Sequence, residues 1–513
     1  MAENSSLPLL PILCGMTGIC LVALYKAISH PLFRIPGPFA ARFTRLWLLR
    51  QAVTSKFPST NIHLHKKYVR ITPNEYSIDD PASAKIIYGS GKGFIKVSFF
   101  SSCPRSPWYE ASGSPLSLVP GLFFERDPTI HAGVRRKVAS GYTMTSLVQM
   151  ETFVDDCSVI LHQRFSEFAD SGTTIDLCHW MQCYAFDVIG NITVGERFGF
   201  LDQGEDVQSV MASIDEFTKY AVRVGIYAQW HKIIFPLYMA FKKFPGLINV
   251  RMFAHSKLEN RYAKLLSNDP KADESGPADF VTKLIRVQAA DSSKINKSEI
   301  ASACTTNIGA GSDTTSISLS AVFFFLYTYP DTLGRLRNEI NERIDQGLLS
   351  DPVKYRESTR MPYLQAVIKE ALRLHPATGL ILGRVVPKGG QNLAGKYFPE
   401  GTIVGINSWV AHHNTDIFGS DVDVFRPERW LEESEIVRKR ESYFMTFGMG
   451  SRMCIGKNIS LMEMSKAIPQ ILRNFELVPE NGTPSWELDN VWFVKPRHFR
   501  CRIQKYNRNQ KVY

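Results

Sequence analysis

The sequence predicts a mainly α body of the α+β kind, with small peripheral β-sheets and one N-terminal membrane-spanning helix. Three observations predict it. Helical hydrophobic spacing recurs at 145–168, 177–193, 207–227, 250–266, 297–329, 330–346 and 362–374. Strand-like runs are short, at 69–71, 77–78, 402–406 and 492–503. Residues 7–25 carry no charge over 19 positions, a helix length close to the ~30 Å hydrocarbon thickness of a bilayer at about 1.5 Å per residue.

The uncharged run is flanked asymmetrically. Glu3 precedes it with no Lys or Arg, and Lys26, Arg34, Arg42 and Arg45 follow. The positive-inside rule puts the downstream side in the cytoplasm. A cleaved signal peptide is the alternative, with Ala27-Ile28-Ser29 as a cleavage-like site, but the basic leader it needs is missing. Residues 1–30 are therefore expected to form an anchor. Ile35-Pro36-Gly37-Pro38 stops any helix, so 31–38 reads as a proline-rich hinge, with a surface loop as the plainer alternative. Residues 39–513 show no internal repeat and read as one catalytic body, larger than most domains. The polar stretch 267–277 reads as a loop between helices.

Composition narrows the function classes. The 513 residues hold 60 Lys+Arg and 49 Asp+Glu, a net +11, with 44% apolar and 21% charged residues. Disorder, collagen and a multi-span membrane protein are excluded for the chain as a whole. No run of five basic residues occurs, so a nucleic-acid tail is not expected. The basic excess suits an acidic partner or an anionic membrane surface. Nine cysteines, an odd number without C-x-x-C, point to a reducing compartment rather than a disulfide scaffold or a four-Cys zinc site. Gly89-Ser90-Gly91-Lys92-Gly93 lacks the spacing of a P-loop and reads as a turn. His63-Leu64-His65 and His412-His413 lack H-E-x-x-H context, and no G-x-S-x-G occurs.

Phe447-Gly448-Met449-Gly450-Ser451-Arg452-Met453-Cys454-Ile455-Gly456 carries the chemistry. Its glycines permit a tight loop and close approach to a flat ligand. Cys454 precedes a helical run at 458–472, where the helix dipole favours a thiolate. A buried thiolate is the soft axial ligand that activates haem iron for O–O cleavage, and Arg452 is placed for a haem propionate.

The stretch matches F-G-x-G-x-R-x-C-x-G, and on it the chain resembles cytochrome P450, the haem-thiolate monooxygenases. The resemblance implies that family's fold, haem b, and Cys454 as the iron ligand. Phe447, Gly456 and Ala310 would lie against the haem. Glu370-x-x-Arg373 resembles the family's E-x-x-R. The same pattern occurs at Glu357/Arg360 and Glu435/Arg438, and the helical context of Glu370 selects it. Arg429, in Phe425-Arg426-Pro427-Glu428-Arg429-Trp430, would complete a structural Glu–Arg–Arg network. Asp313 and Thr314, in Ala310-Gly311-Ser312-Asp313-Thr314-Thr315, resemble the family's acid–alcohol pair for proton delivery; a core helix with a back-bonded Thr is the alternative. His131-x-x-x-Arg135 resembles W-x-x-x-R with His replacing Trp, so His131, Arg135 and Arg384 would meet propionates; an exposed helical His131 is the alternative.

The implied activity is monooxygenation of an apolar small molecule. NADPH and flavins would act only indirectly, through NADPH–cytochrome P450 reductase, with cytochrome b5 as a second donor. Membrane lipid is an implied partner and nucleic acid is not. The implied location is the endoplasmic reticulum membrane, single-pass, with the catalytic body cytoplasmic. Ala185-Phe186-Asp187-Val188-Ile189-Gly190, Gly195-Glu196-Arg197-Phe198-Gly199-Phe200 and Pro73-Asn74-Glu75-Tyr76-Ser77-Ile78 look like fungal members of the pisatin-demethylase-like group, which implies secondary metabolism. A P450-type oxidase performing ring coupling, desaturation or rearrangement is the alternative within enzymes. A haem sensor or electron carrier is the alternative outside them. By resemblance, substrate would meet 99–119, 210–244, 306–310, 377–382 and 491–493. The segment 230–247 is expected to dip into the membrane or pack in the core. Arg135, Arg136, Lys137 and Lys457 are expected to form a basic face for the reductase.

Overall fold

The computed structural model describes residues 31–96, 121–241, 246–267, 277–490 and 492–508, with scattered positions between 15 and 29. The longer helices are α1 (Leu46–Val53), α2 (Phe57–Leu64), α3 (Pro81–Tyr88), α4 (Pro128–Val138), α5 (Glu151–Ser171), α6 (Leu177–Val194), α7 (Val210–Ile226), α8 (His231–Phe241), α9 (Gly246–Leu266), α10 (Phe280–Ala290), α11 (Lys297–Thr328), α12 (Pro330–Asp345), α13 (Pro362–Leu374), α14 (Ser434–Glu441) and α15 (Lys457–Asn474). The strands are β1 (Tyr68–Thr72), β2 (Glu75–Ile78), β3 (Thr174–Asp176), β4 (Arg384–Val385), β5 (Gln391–Leu393), β6 (Lys396–Phe398), β7 (Ile403–Gly405), β8 (Phe475–Pro479), β9 (Glu487–Asn490), β10 (Val494–Arg497) and β11 (Arg500–Lys505).

The fold is organised by α11. Asn296 accepts the Glu299 N–H at 2.9 Å and Glu299 accepts the Asn296 N–H at 3.0 Å, a capping box that starts the helix. Its 32 residues run about 48 Å, and Tyr329-Pro330 ends it. Along that length it packs against α6, α9, α13 and α15. Its partner α6 is buried at every position except His179 and Gln182, so it is a core helix without a solvent face. The two cross closely at Gly311, where a Cβ would lie 2.9 Å from Ile189 Cγ1. Any side chain there would push the helices apart.

The sheets are peripheral. One has the order β1-β2-β7-β4, with β2 and β7 parallel and the other pairs antiparallel. A second has the order β3-β11-β8, and β9–β10 and β5–β6 are hairpins. The main core gathers apolar side chains from α5, α6, α11, α13 and α15; a second cluster lies under the four-stranded sheet.

The periodic segments match well at 177–193, 297–329, 330–346 and 362–374. The run at 145–168 is instead two helices, Met144–Val148 and α5. The Met150 N–H closes a turn on Leu147 O at 2.8 Å. Glu151 is drawn to the Tyr355 N–H at 2.6 Å and to the buried Lys466 at 2.5 Å, which fixes a fresh helix start there. The run at 492–503 also divides. His498 adopts φ 63°, and the halves β10 and β11 join different sheets. Helices α1 to α4, α8, α10 and α14 are not expected from periodicity because they are short. Two carried a readable start: Asp80-Pro81 and Asp127-Pro128 place an acidic N-cap before a proline at the first helical position.

The span expected at 7–25 lies outside the described residues apart from isolated positions. Among the described residues no helix is long and apolar enough to cross a membrane. The segment 31–38 is packed against the sheet: Leu32 and Ile35 are buried, the Arg70 N–H donates to Pro36 O at 2.8 Å, and the Arg70 guanidinium donates to Leu32 O at 2.7 Å. The stretch 267–277 lies mostly outside the described residues.

Glu463 on α15 is fully buried, and neither carboxyl oxygen has a hydrogen-bond partner among the described residues. Burial pushes this carboxyl well above the ordinary range. A raised carboxyl favours folding while protonated, and that contribution is lost as pH rises from the ordinary carboxylate range toward the folded-state value. Glu463→Gln is therefore expected to raise the melting temperature by about 1–3 °C at pH 8. The gain at pH 5 should be clearly smaller, as calorimetry at the two pH values would show.

Candidate active site

The loop leading into α15 is shaped by two left-handed glycines, Gly448 (φ 71°) and Gly450 (φ 68°). At Gly450 a Cβ would fall 1.9 Å from Tyr88 O, so the end of α3 presses directly on the loop. The Gly448 N–H donates to Met445 O at 2.9 Å, and the Cys454 N–H donates to Phe447 O at 2.8 Å. These bonds close the loop and leave the Cys454 side chain opening onto a cavity of about 880 Å³. Burial pushes the thiol up, while the Gly456 N–H, Arg135 and the Lys457 N–H pull it down.

Behind the loop a hydrogen-bonded chain runs into the core. The Met445 N–H donates to His412 Nε2 at 2.8 Å. That forces the proton to Nδ1, which donates to Arg373 O at 2.9 Å. Burial pulls His412 down to about 3, so the ring is neutral at physiological pH. Arg373 in turn grips Glu370, with Nε to Oε2 at 3.0 Å and a terminal nitrogen to Oε1 at 2.8 Å. Arg429 Nε reaches Glu370 Oε1 at 2.8 Å and Trp430 Nε1 reaches Oε2 at 2.8 Å. Glu370, Arg373 and Arg429 are fully buried. Asp421 meets Arg429 at 3.1 Å and supplies the second negative charge. The expected Glu–Arg–Arg network is thus assembled away from the cavity, tied to the Cys454 loop through His412.

The facing wall is α11, which contributes Gly309, Ala310, Gly311, Thr314 and Ser318. Thr314 lines the cavity and also donates to Ala310 O at 3.0 Å, so the two readings of this hydroxyl coexist. Asp313 does not line the cavity. Its carboxyl is turned into the core, where Gln182 Nε2 donates to Oδ1 at 2.7 Å and Lys495 Nζ lies 2.5 Å from Oδ2. Toward one end the cavity is lined by Lys96, His131, Arg135, Arg384 and Arg452. His131, also readable as an exposed helical residue, is buried. Burial first, then the charges of Arg452, Lys96, Arg135 and Arg384, pull it down to about 4. No acidic side chain lines the cavity among the described residues. The remaining lining is largely apolar, including Phe123, Ile214, Phe217, Ala221, Leu380 and Phe493.

Cys454, Phe447, Gly456, Arg452, His131, Arg135, Arg384, Ala310 and Thr314 are therefore brought to one cavity. The expected substrate segments 210–244, 306–310, 377–382 and 491–493 all contribute lining residues, while 99–119 lies outside the described residues. Of the residues expected to form a basic face, Arg135 lines the cavity, Arg136 is exposed and Lys137 pairs with Glu299 at 2.7 Å. Sequence reasoning missed Lys96, His412, Gln182 and Lys495. Each is a single residue whose partners are distant in sequence, so no spacing announces it.

A cluster of cations in the cavity wall suits a ligand that brings its own acids. The propionates of haem are such acids, and Cys454 offers the iron a soft ligand from a loop whose glycines leave room for a flat ring. The residues fit that cofactor. The match of residues 92–499 to the cytochrome P450 family agrees with this reading, and the chain belongs to that family. Two proteins named pisatin demethylase, both from Fusarium vanettenii, are 40% and 39% identical to it over 484 residues, covering 93% of this chain and 91% and 89% of theirs. A cytochrome P450 monooxygenase of Aspergillus terreus is 35% identical over 466 residues, 90% of this chain and 92% of that one. The chain is an enzyme of the cytochrome P450 monooxygenase class.

Removing the shared carboxylate would leave the buried Arg373 without its anion and Arg429 with Asp421 alone. Glu370→Gln is expected to destabilise the enzyme by about 3–5 kcal/mol and to abolish the thiolate band of the reduced, CO-bound spectrum. Asp421→Asn, at a carboxylate one-third exposed, should cost under about 1 kcal/mol. Urea unfolding and the spectrum check both.

Proposed function

We propose that this monooxygenase hydroxylates or otherwise oxidises an apolar small molecule, a fungal secondary-metabolite intermediate, using O2 and electrons passed from NADPH by a reductase. The observation that carries the reading is Thr314 lining the same cavity as Cys454, in a chamber whose lining is largely apolar. Haem held there supplies the oxygen-activating redox chemistry. Cys454 ligates its iron, and Lys96, His131, Arg135, Arg384 and Arg452 hold its carboxylates. Ile214, Phe217, Leu380 and Phe493 press the substrate against Ala310 and exclude water. Thr314 holds a hydrogen bond in that dry space, and Asp313 behind it supplies protons.

The relatives named pisatin demethylase suggest demethylation as one outcome. Hydroxylating a methyl carbon attached to oxygen releases it as formaldehyde, so pisatin is a suitable first probe. With reductase, NADPH and an accepted probe, Thr314→Ala is expected to lower product about 10²-fold while NADPH is still consumed and peroxide accumulates. An indifferent Thr314→Ala would point to an electron carrier instead.

The anchor expected at 7–25 would hold the body on the cytoplasmic side of the endoplasmic reticulum membrane. An exposed apolar stripe supports a second membrane contact. Trp230, just before α8, and Ile233, Leu237 and Phe241 along it are 52–87% exposed, and Phe39, Leu46 and Val53 are 51–74% exposed near the start of the body. The two groups adjoin where Arg45 donates to Ile226 O at 2.8 Å. A chain lacking residues 1–30 should still sediment partly with vesicles, and Ile233→Ser with Leu237→Ser and Phe241→Ser should abolish that. Full release on deleting the anchor alone would overturn the contact.

A further inference from the structure

Behind α11 lies a chain of alternating charges of which only the first member, Asp313, has been given a role. It begins at Asp313, fully buried. Lys495 of β10, itself buried, lies 2.5 Å from Asp313 Oδ2 and also contacts Asp215 Oδ1 of α7. Arg497 contacts the other oxygen of Asp215 and lies 3.7 Å from Asp489. Asp489 reaches Lys219 at 3.6 Å. One ammonium is therefore shared by two carboxylates on two different helices. Its uncharged neighbour is Gln182 of α6, bonded to Asp313 Oδ1. Among the described residues, these are the charged and polar side chains paired with Asp313 or with its cation from α6, α7 and β10.

The second carboxylate sits on the cavity roof. Ile214, Phe217, Thr218 and Ala221 of α7 line the cavity, while Asp215, beside them in sequence, turns the other way onto β10. We propose that Asp215 is a positioning residue for proton delivery: by sharing Lys495 it keeps that cation from pinning Asp313, so that Asp313 can take a proton from water and pass it toward Thr314. Because Asp215 rides on α7, the cation is shared only while that helix is seated over the cavity. The proposal rests on the proton-delivery role given to Asp313 above.

A buried ammonium needs at least one full anion beside it. With Asp215 present, the two carboxylates are pushed apart. Burial pushes Asp313 up against the pull of Lys495. Burial also opposes the charge on Asp215, yet Lys495 and Arg497 hold that carboxyl below the ordinary range. Asp215 is then the permanent anion and Asp313 the one that changes protonation, a division of labour that environment imposes on paired acids. Without Asp215, Lys495 must take its whole compensation from Asp313.

The test uses the full-length haem-loaded enzyme and two readouts. One is the infrared C=O stretch of a protonated carboxyl, assigned to Asp313 by its loss in Asp313→Asn and followed against pH. The other is the solvent deuterium isotope effect on reductase-driven NADPH oxidation, which needs no organic substrate. Asp215→Asn is expected to move the midpoint of the band to lower pH and to enlarge the isotope effect several-fold. Lys495→Met is expected to move the midpoint to higher pH, and adding Asp215→Asn to Lys495→Met should move it much less than Asp215→Asn does alone, by only the direct repulsion between the two carboxylates. A band unmoved by Asp215→Asn, or moved equally in the Lys495→Met background, overturns the proposal. If Asp313→Asn leaves the isotope effect unchanged, the proton-delivery role itself fails; if it alters the effect while Asp215→Asn does not, only the present proposal fails. Should Asp215→Asn not accumulate, Arg497→Gln reads the same coupling with opposite sign. Asp215 would then lean wholly on Lys495, and the Asp313 band should move to higher pH. No movement, or movement to lower pH, overturns the proposal.

Discussion

Charge carried into a dry interior must be met by opposite charge or by hydrogen bonds, and both working walls of this molecule hang on that requirement. On one side Glu370 is saturated by Arg373, Arg429 and Trp430, and Arg373 reaches on through His412 to the root of the Cys454 loop. On the other, α11 is stitched to α7 and β10 by Lys495. Apolar packing of similar volume is often as stable as such ion sets. What directional bonds add is register. A leucine tolerates small slips against its neighbours, whereas a guanidinium fitted to a carboxylate does not. A cofactor cavity needs its walls at a fixed separation, and that is where these bonds are spent.

The lining itself is divided by charge. Five basic side chains gather around His131 and Arg452, and apolar side chains cover most of the remainder, where Arg251, His255 and Lys297 also reach the cavity; no carboxylate faces in among the described residues. This separation keeps two tasks from interfering. The basic end suits the carboxylates of the haem, and the apolar part suits a substrate with little charge. Asp313 is turned away from the cavity, while Thr314 and Ser318 of the same helix line it.

How much of this was legible in the sequence depended on whether the information was local. The helix at 297–328 was legible because one helical period is sustained over its 32 residues. The Cys454 loop was legible because five chemically constrained positions fall within ten residues. Arg429 became legible only once a resemblance joined it to Glu370, 59 positions away. The Asp-Pro starts of α3 and α4 were present and were passed over because the helices are short. Lys96, His412 and Lys495 were illegible in a stricter sense. A lone lysine reads as a solvated side chain and a histidine pair reads as a failed metal motif, and only the folded chain reveals what each one touches. The turn of Asp313 away from its neighbour Thr314 follows from helical geometry, since successive side chains point about 100° apart, but the partner waiting there belongs to β10.

The three-stranded sheet sets a condition on how the protein is made. Its central strand, β11, comes from residues 500–505, while one neighbour, β3, comes from residues 174–176. At roughly 5–20 residues per second, tens of seconds of translation separate the two. The join between α5 and α6 therefore leaves the ribosome long before the strand that closes it exists. The body cannot settle into its final form as it emerges, and its edge strands need shielding until synthesis has passed residue 505.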